Sequence, residues 1–537
     1  MQFKLLALFN LLVSLVDIAS LAVLLLIVDF YANSGESARF NLLPAWMTED
    51  HSLWLLFFFL ILFSTKNILA FFIYRRQFRF IGNVSNRLSA TKLENYLSGD
   101  FTNYINTDSS EQIRRISYQP TEFCYYVLSA ILQIFTEFIL VSLAILGIAL
   151  YDPDLFFLLS VVLLPPVIIV FYLIRKRLRS TSIQGRTSSE KSLQHLREAL
   201  HGYIESNIYD KKHFFLKRYT HFQQQFNQYL SESMIIQGMP HRIIEVFAVT
   251  GLFLLIAFTR AGNDTANANL VQIGAFMAAA YKIIPGVVRI LNLSGQTKIY
   301  GFTLENLSRS TPLKKGSGKT PNEMIQTIEF KNVCFGFNDR DILLDFNLKI
   351  SAGELIGMKG YSGLGKTTMI NLLLGLLTPR SGEILYNNRP LDPESRQSFW
   401  PMVSYVKQEH FLLHDTIQKN ITLDDDHYDP QRLEKVIQMA GLDDLLGKYP
   451  EGERKIITEN GKSLSGGQRQ RIAIARALYK DPQLVILDEA FNELDEDSEE
   501  RLLTEFGRLA ENGKMVLLVS HRQKGLAHCS KIISFDA

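Results

Sequence analysis

Apolar positions divide the chain near residue 300. Ahead of that point lie six apolar stretches, at about 5–30, 53–74, 124–150, 155–174, 243–259 and 270–293. Crossing a hydrocarbon core of roughly 30 Å takes about 20 helical residues, so these six are predicted to span a membrane. Helices of soluble proteins rarely stay apolar on every side for so long. The first stretch is too long for a signal peptide and lacks a small-residue cleavage site before polar sequence, so it is expected to remain as a helix. Between spans, "SEKSLQHLREALHGYIESNIYDKKHFFLKRY" repeats its apolar residues every three or four positions without proline. That period predicts helices continuing well beyond the bilayer. Past residue 310 the texture changes. A Lys/Gly/Ser/Pro-rich segment, 311–324, reads as a linker, and beyond it strand-like "ELIGMK" and helical "MINLLLGLL" belong to a second domain over 325–537.

Charge adds an orientation. The 56 Lys and Arg nearly cancel the 54 Asp and Glu, leaving a net charge of +2, so a general polyanion binder is disfavoured and no nucleic-acid partner is expected. The distribution is far from even. Loop 75–123 holds Arg75, Arg76, Arg79, Arg87, Lys92, Arg114 and Arg115, and loop 175–242 begins with "RKRLR". Segments 31–52, 151–154 and 260–269 hold only Arg39 and Arg260. Positive charge stays on the cytoplasmic side, which predicts that both long loops, both termini and the domain after residue 324 are cytoplasmic. Cys124, Cys334 and Cys529 are too scattered for a disulfide framework or a zinc site and are expected to be unpaired thiols.

The chemistry lies in the second domain. "GYSGLGKTT", Gly360 to Thr368, follows a strand-like run and opens a helical one, the context a phosphate-binding loop requires. Its backbone N–H groups and the helix N-terminus would cradle phosphates through Gly360, Tyr361, Ser362, Gly363 and Gly365, with Thr368 at the helix start. Lys366 would reach the β and γ phosphates and the Thr367 hydroxyl a Mg²⁺ ion. The similar "GSGKT" in the linker lacks both the first glycine and a preceding strand, and reads as flexible chain. In "LVILDEA" (484–490), Asp488 is placed to hold the metal through water and Glu489 to orient or deprotonate an attacking water. "LSGGQRQRIAIARAL" (464–478) sets Ser465 and two glycines at the start of a helix, a second phosphate-binding terminus that one nucleotide does not need. A spare site implies a second copy of the domain.

The order of these elements resembles the ATP-binding-cassette family over residues 325–537, and six spans ahead of one cassette resemble a type IV, exporter-type half-transporter. The fold class is therefore a multidomain membrane protein, a six-span α-helical transmembrane domain (1–310) followed by an α/β P-loop cassette (325–537). The resemblance implies ATP and Mg²⁺ as cofactors. It also implies a dimer in which Leu464, Ser465, Gly466, Gly467 and Gln468 close over the ATP held by the other subunit. Phe337 in "VCFGF" is similar to the aromatic that stacks on adenine, and Gln408 in "YVKQEH" to the glutamine that senses Mg²⁺ and the membrane domain. Asp495 in "NELD" resembles the D-loop aspartate, and His521 in "LLVSHR" the switch histidine on the γ-phosphate. The Mg²⁺ set is thus Thr367, Gln408 and Asp488, and the catalytic set Glu489, His521 and Gln408. Two departures stand out: "AFNELD" replaces the usual "ATSALD", and Leu364 replaces a small polar residue. The chain ends at "KIISFDA" without the helices that commonly follow, so cassettes that separate more widely at rest are expected. Since every catalytic element is present, a homodimer with two competent sites is expected.

The sixth span poses a separate question, for "FMAAAYKIIPGVVRIL" keeps Lys282 and Arg289 in an apolar run. Seven residues is nearly two helical turns, so both would lie on roughly one face. A cation at mid-bilayer costs about 2.5–3.5 kcal/mol on the insertion scale and so faces protein or water. Arg289 could snorkel to the cytoplasmic interface, and Lys282 could pair with Glu137 or Glu245. Alternatively the two form a cationic wall for an anionic substrate. The stretches "VSLVDIASLAVLLLIVDF", "MPHRIIEVFAVTGLFLL" and "YKIIPGVVRILN" resemble PglK-type flippases of lipid-linked oligosaccharides in the bacterial inner membrane. That resemblance implies a polyprenyl-pyrophosphate head group meeting cavity cations while its tail stays in the bilayer. Export of peptides or other amphipathic compounds remains open, as does a membrane-anchored regulatory ATPase without transport.

Overall fold

In the computed structural model the first half of the chain is a set of long helices and the second an α/β domain. The structure describes residues 2–32, 54–99, 101, 108–151, 153–261, 266–308, 321, 323–337, 340–361, 363–458, 461 and 463–535. The decoy "GSGKT", Ser362 and most of the linker lie outside them.

The six apolar stretches fall on α1 (Gln2–Ala32), α2 (Trp54–Leu97), α3 (Ser129–Tyr151), α4 (Pro153–His201), α5 (Lys212–Ala261) and α6 (Ala266–Tyr300). Among the described residues, Leu56–Leu97, Glu111–Leu150 and Lys212–Ala257 are long and apolar enough to cross a membrane, and Leu8–Ser20 and Leu159–Leu173 are shorter apolar pieces. Four of the rods outrun their spans. α2 runs on to Leu97, α4 to His201, α5 starts at Lys212, and helix precedes α3 from Ser109 through two π-helical segments, Arg114–Tyr118 and Phe123–Leu128. The break between α4 and α5 comes at Gly202, where a β-carbon would stand 3.0 Å from the Glu198 carbonyl oxygen. Pro165, Pro166, Pro240 and Pro285 sit inside helices, as neighbouring helices in a membrane allow. Leu159, Val170, Ile244, Phe276 and Ile283 are buried in the core shared by α3 to α6. α2 instead exposes Phe57, Phe58, Leu60, Phe71 and Phe72, a surface suited to lipid tails.

In the second domain, four strands form an antiparallel sheet in the order β2 (Arg340–Ser351), β1 (Thr327–Phe337), β4 (Ser381–Tyr386), β5 (Arg389–Pro390). Five form a parallel sheet in the order β6 (Val403–Val406), β7 (Leu484–Asp488), β8 (Met515–Val519), β3 (Leu355–Lys359), β9 (Lys531–Ser534). β7 and β8 are buried at every position, as their unbroken apolar sequences require of strands covered on both faces.

By compactness the chain forms two units: Met1–Leu97 with Thr107–Pro312, and Ser98–Asn106 with Leu313–Ala537. The second unit therefore includes a short piece of the segment expected to be loop 75–123. Within it, Phe101 packs partly buried against the core around Phe330, Met358 and Met369.

Candidate functional site

Open parallel sheets gather chemistry at the carboxyl ends of their strands. Here the ends of four strands supply it: Gln408 follows β6, Asp488 and Glu489 end β7, His521 follows β8, and the Gly360–Gly365 loop follows β3.

The loop turns into helix α7 (Lys366–Leu373) at Gly365, whose φ of +96° is a left-handed conformation favouring glycine. A β-carbon there would also lie 2.8 Å from Ile342 Cγ2. Lys366 is buried, and its Nζ donates to the carbonyl oxygens of Gly360 at 2.5 Å and Tyr361 at 2.8 Å. The cation is thus held inside the loop that phosphate would fill. Thr367 and Tyr361 are exposed, and Phe337 stands exposed at the end of β1, edge-on to Phe335 with ring centroids 5.1 Å apart.

Glu489 is the hub. Its Oε2 accepts from Gln408 Nε2 at 3.0 Å and Asn492 Nδ2 at 2.8 Å, and its Oε1 lies 3.0 Å from His521 Nε2. Its backbone has φ +51°, a left-handed conformation unusual for a residue with a side chain, and its N–H donates to the Val519 carbonyl. Three sequence-predicted catalytic residues therefore meet at one carboxylate. Asp488 is buried, its Oδ2 accepting from the Tyr405 hydroxyl at 2.9 Å. Burial pushes its carboxyl above the usual carboxylate range, with Glu489 adding to the effect and the Tyr405 bond and Lys366 opposing it. A cation beside it would relieve that cost. Thr367, Gln408 and Asp488 offer only oxygen donors to a metal, which suits Mg²⁺.

Helix α8 (Gly466–Tyr479) opens with a capping box, in which Ser465 Oγ accepts from Gln468 N–H and Gln468 Oε1 from Ser465 N–H. Leu464 is buried behind it. The buried Gln470 ties this helix to the turn that follows Glu489, accepting from Glu493 N–H at 3.1 Å. Asp495 caps α9 (Glu496–Glu511), with Oδ1 accepting from Ser498 N–H at 2.9 Å. The Ser498 hydroxyl, which donates to Oδ2 at 2.8 Å, and this N–H together hold its carboxyl below the usual range. A lowered carboxyl stabilises the fold above the unfolded-state value, and that stabilisation is lost as pH falls through the folded one. Asp495→Ala is therefore expected to lower the melting temperature at pH 7, with the deficit fading below about pH 4. Asp495→Ser, which also caps, should recover most of it; equal melting curves for all three proteins would refute the capping role.

Sequence reasoning passed over Tyr405, Asn492 and Gln470. Asn492 lay within the noted departure "AFNELD", the one signal that could have pointed to it.

In the membrane unit, Arg289 Nη1 donates to Glu137 Oε1, with Arg289 60% and Glu137 13% exposed. Arg289 thus has a carboxylate partner, and Glu137, one of the two partners considered for Lys282, is engaged by Arg289. Gly286 is the physical reason, since at that point α6 comes within 3.4 Å of Glu137 Oε2, measured from an added β-carbon, and Arg289 follows one turn on. Glu245 lies 3.9 Å from His241 and 3.7 Å from Arg242, both on its own helix. The Lys282 side chain lies outside the described residues. A further pair that hydropathy did not reveal joins Lys66 of α2 to Asp17 of α1.

Two family descriptions match the chain: "ABC transporter transmembrane region" over residues 4–279 and "ABC transporter" over 343–492. The alpha-hemolysin translocation ATP-binding protein HlyB of Escherichia coli O157:H7 is 36% identical over 270 residues, 49% of this chain and 38% of that protein. An ATP-dependent lipid A-core flippase of Ralstonia nicotianae is 26% identical over 478 residues, 85% of this chain and 79% of that one. A bacterial Atm1-family ABC exporter with ATP bound superposes with a TM-score of 0.79 at 18% identity, covering 99% of this chain and 92% of the other. With the transmembrane-region family matching more than half of the chain and the cassette motifs gathered at one sheet edge, the chain belongs to the ABC transporter family and carries an exporter-type membrane region followed by an ATP-hydrolysing cassette.

Proposed function

We propose that two copies of this chain form an ATP-driven flippase of the bacterial inner membrane, moving a lipid-linked oligosaccharide or a similar anionic amphipathic molecule by alternating access. The observation that carries the substrate reading is the Arg289–Glu137 pair, a membrane-helix cation that is largely exposed while its carboxylate partner is mostly covered. An anionic head group can take the open side of that guanidinium. The likeness to lipid A-core flippases supports a lipid substrate. The basic loops support a cytoplasmic cassette.

In the cassette, the Gly360–Thr368 loop holds the phosphates and Phe337 stacks on the adenine. Thr367, Gln408 and Asp488 would hold Mg²⁺, which neutralises charge on the phosphates. Glu489 orients and deprotonates the attacking water, and His521, in contact with that carboxylate, would reach the γ-phosphate. The Leu464–Gln468 turn of one copy closes over the nucleotide of the other, so ATP draws the cassettes together and hydrolysis releases them. Closure then biases a two-state membrane cavity.

The test is ATP hydrolysis by the purified protein in lipid nanodiscs, with and without a polyprenyl-pyrophosphate oligosaccharide and, in parallel, with amphipathic peptides. Stimulation by the lipid-linked sugar is expected, and Arg289→Ala and Lys282→Ala should each weaken it about tenfold, the loss of one charge-assisted bond, while sparing hydrolysis without substrate. Stimulation by peptides alone would overturn the flippase reading and leave an exporter. Unchanged stimulation in both variants would remove the two cations from the substrate path.

A further inference from the structure

The departure "AFNELD" places Glu493 where the resemblance leads one to expect a small residue, and its carboxylate lies across the start of α8. A β-carbon added to Gly466 would stand 1.7 Å from Glu493 Oε2 and 2.5 Å from its Cδ. Arg469 Nη2 is 3.8 Å from the same oxygen, and the Glu493 side chain is half-exposed. The surrounding cavity, about 750 Å³, is lined by Ser465, Gly466, Gly467, Gln468, Arg469 and Glu493.

The capping box satisfies the N–H groups of Ser465 and Gln468, so those of Gly466 and Gly467 have no partner inside the helix. Together with the helix dipole they favour an anion at this point. A carboxylate of the chain itself stands beside that point, against the Cα of Gly466. Like charges side by side repel, so an arriving γ-phosphate favours a Glu493 side chain swung away from the turn. Its exposure leaves room to swing, and its backbone stays anchored because the Glu493 N–H is held by Gln470. The movement would also free Arg469 for the phosphate.

We propose that Glu493 is a resident competitor of ATP at the signature turn, raising the ATP concentration at which paired cassettes close. This rests on the proposed pairing of two copies, but not on the identity of the substrate. It also gives the departure a role: a charge added beside the signature turn, with every group that touches phosphate retained.

The experiment compares the full-length wild type, Glu493→Gln and Glu493→Ala in nanodiscs, measuring the ATP dependence of hydrolysis without transport substrate while mass photometry counts chains per disc. Both variants are expected to lower the half-saturating ATP concentration about fivefold at roughly 50 mM salt, with the change falling on KM rather than kcat. The difference from wild type should shrink near 500 mM salt, where the Debye length is only about 4 Å. An unchanged or raised half-saturating ATP in discs holding two chains overturns the competitor and leaves the pairing standing. A shift in Glu493→Ala that Glu493→Gln does not share assigns the effect to bulk and also overturns it. Full activity in discs holding one chain overturns the pairing and the competitor together.

Discussion

Glu489→Gln is expected to cut steady-state ATP hydrolysis by at least about 10²-fold, the usual contribution of a general base, while ATP still binds. The geometry makes this substitution a clean removal of basicity. Glu489 Oε2 already accepts from two amide donors, Gln408 and Asn492. The glutamine carbonyl oxygen can accept both in the same place, turning its amide nitrogen toward His521, whose Nε2 then has to accept. Shape and surrounding bonds persist; the proton acceptor does not. Phosphate release and nucleotide binding, measured on the same preparation, provide the check. Normal turnover in the variant would move the catalytic base elsewhere.

Lys366→Ala is expected to weaken ATP binding by about 10²-fold or more, because charge-assisted bonds to phosphate are worth roughly 1.5–3 kcal/mol each and Lys366 can make more than one. The same ammonium donates to the Gly360 and Tyr361 carbonyls, so it is already desolvated and aimed into the loop. The readout is thermal: a ligand that binds only the folded state raises the melting temperature by mass action. Wild type should gain stability with Mg·ATP, and the variant should gain none at the same concentration. An equal gain would show that the phosphates are held without this residue.

What could be read from the residues was what lies close together along the chain. The readings of Gly360 to Thr368 and Leu464 to Gln468 rest on consecutive backbone N–H groups, so the spacing alone suggests the chemistry. The apolar spans were legible for a similar reason, since length and charge decide whether a segment enters a bilayer. Pairings across the fold were not. Gln408 and Glu489 meet although 81 positions separate them, because the strand order puts β6 beside β7. Tyr405 meets Asp488 across 83, and Arg289 meets Glu137 across 152. No local period encodes such distances. The departure at 490–495 was visible as a departure, but what it adds could be seen only once Asn492 lay against Glu489 and Glu493 against Gly466.

The interleaving of Ser98–Asn106 with Leu313–Ala537 bears on how the protein is made. During synthesis the ribosome releases the segment around Phe101 first, and four further apolar spans must leave the exit tunnel before the rest of that unit exists. Its seat against the core around Phe330 and Met369 can be filled only late, by a contact between regions far apart in the chain, the kind that slows folding. A cassette produced alone from Leu313 onward would lack a piece of its own unit. The apolar surface that Phe101 covers would stay open, so soluble expression of the isolated cassette should suffer from self-association at that spot.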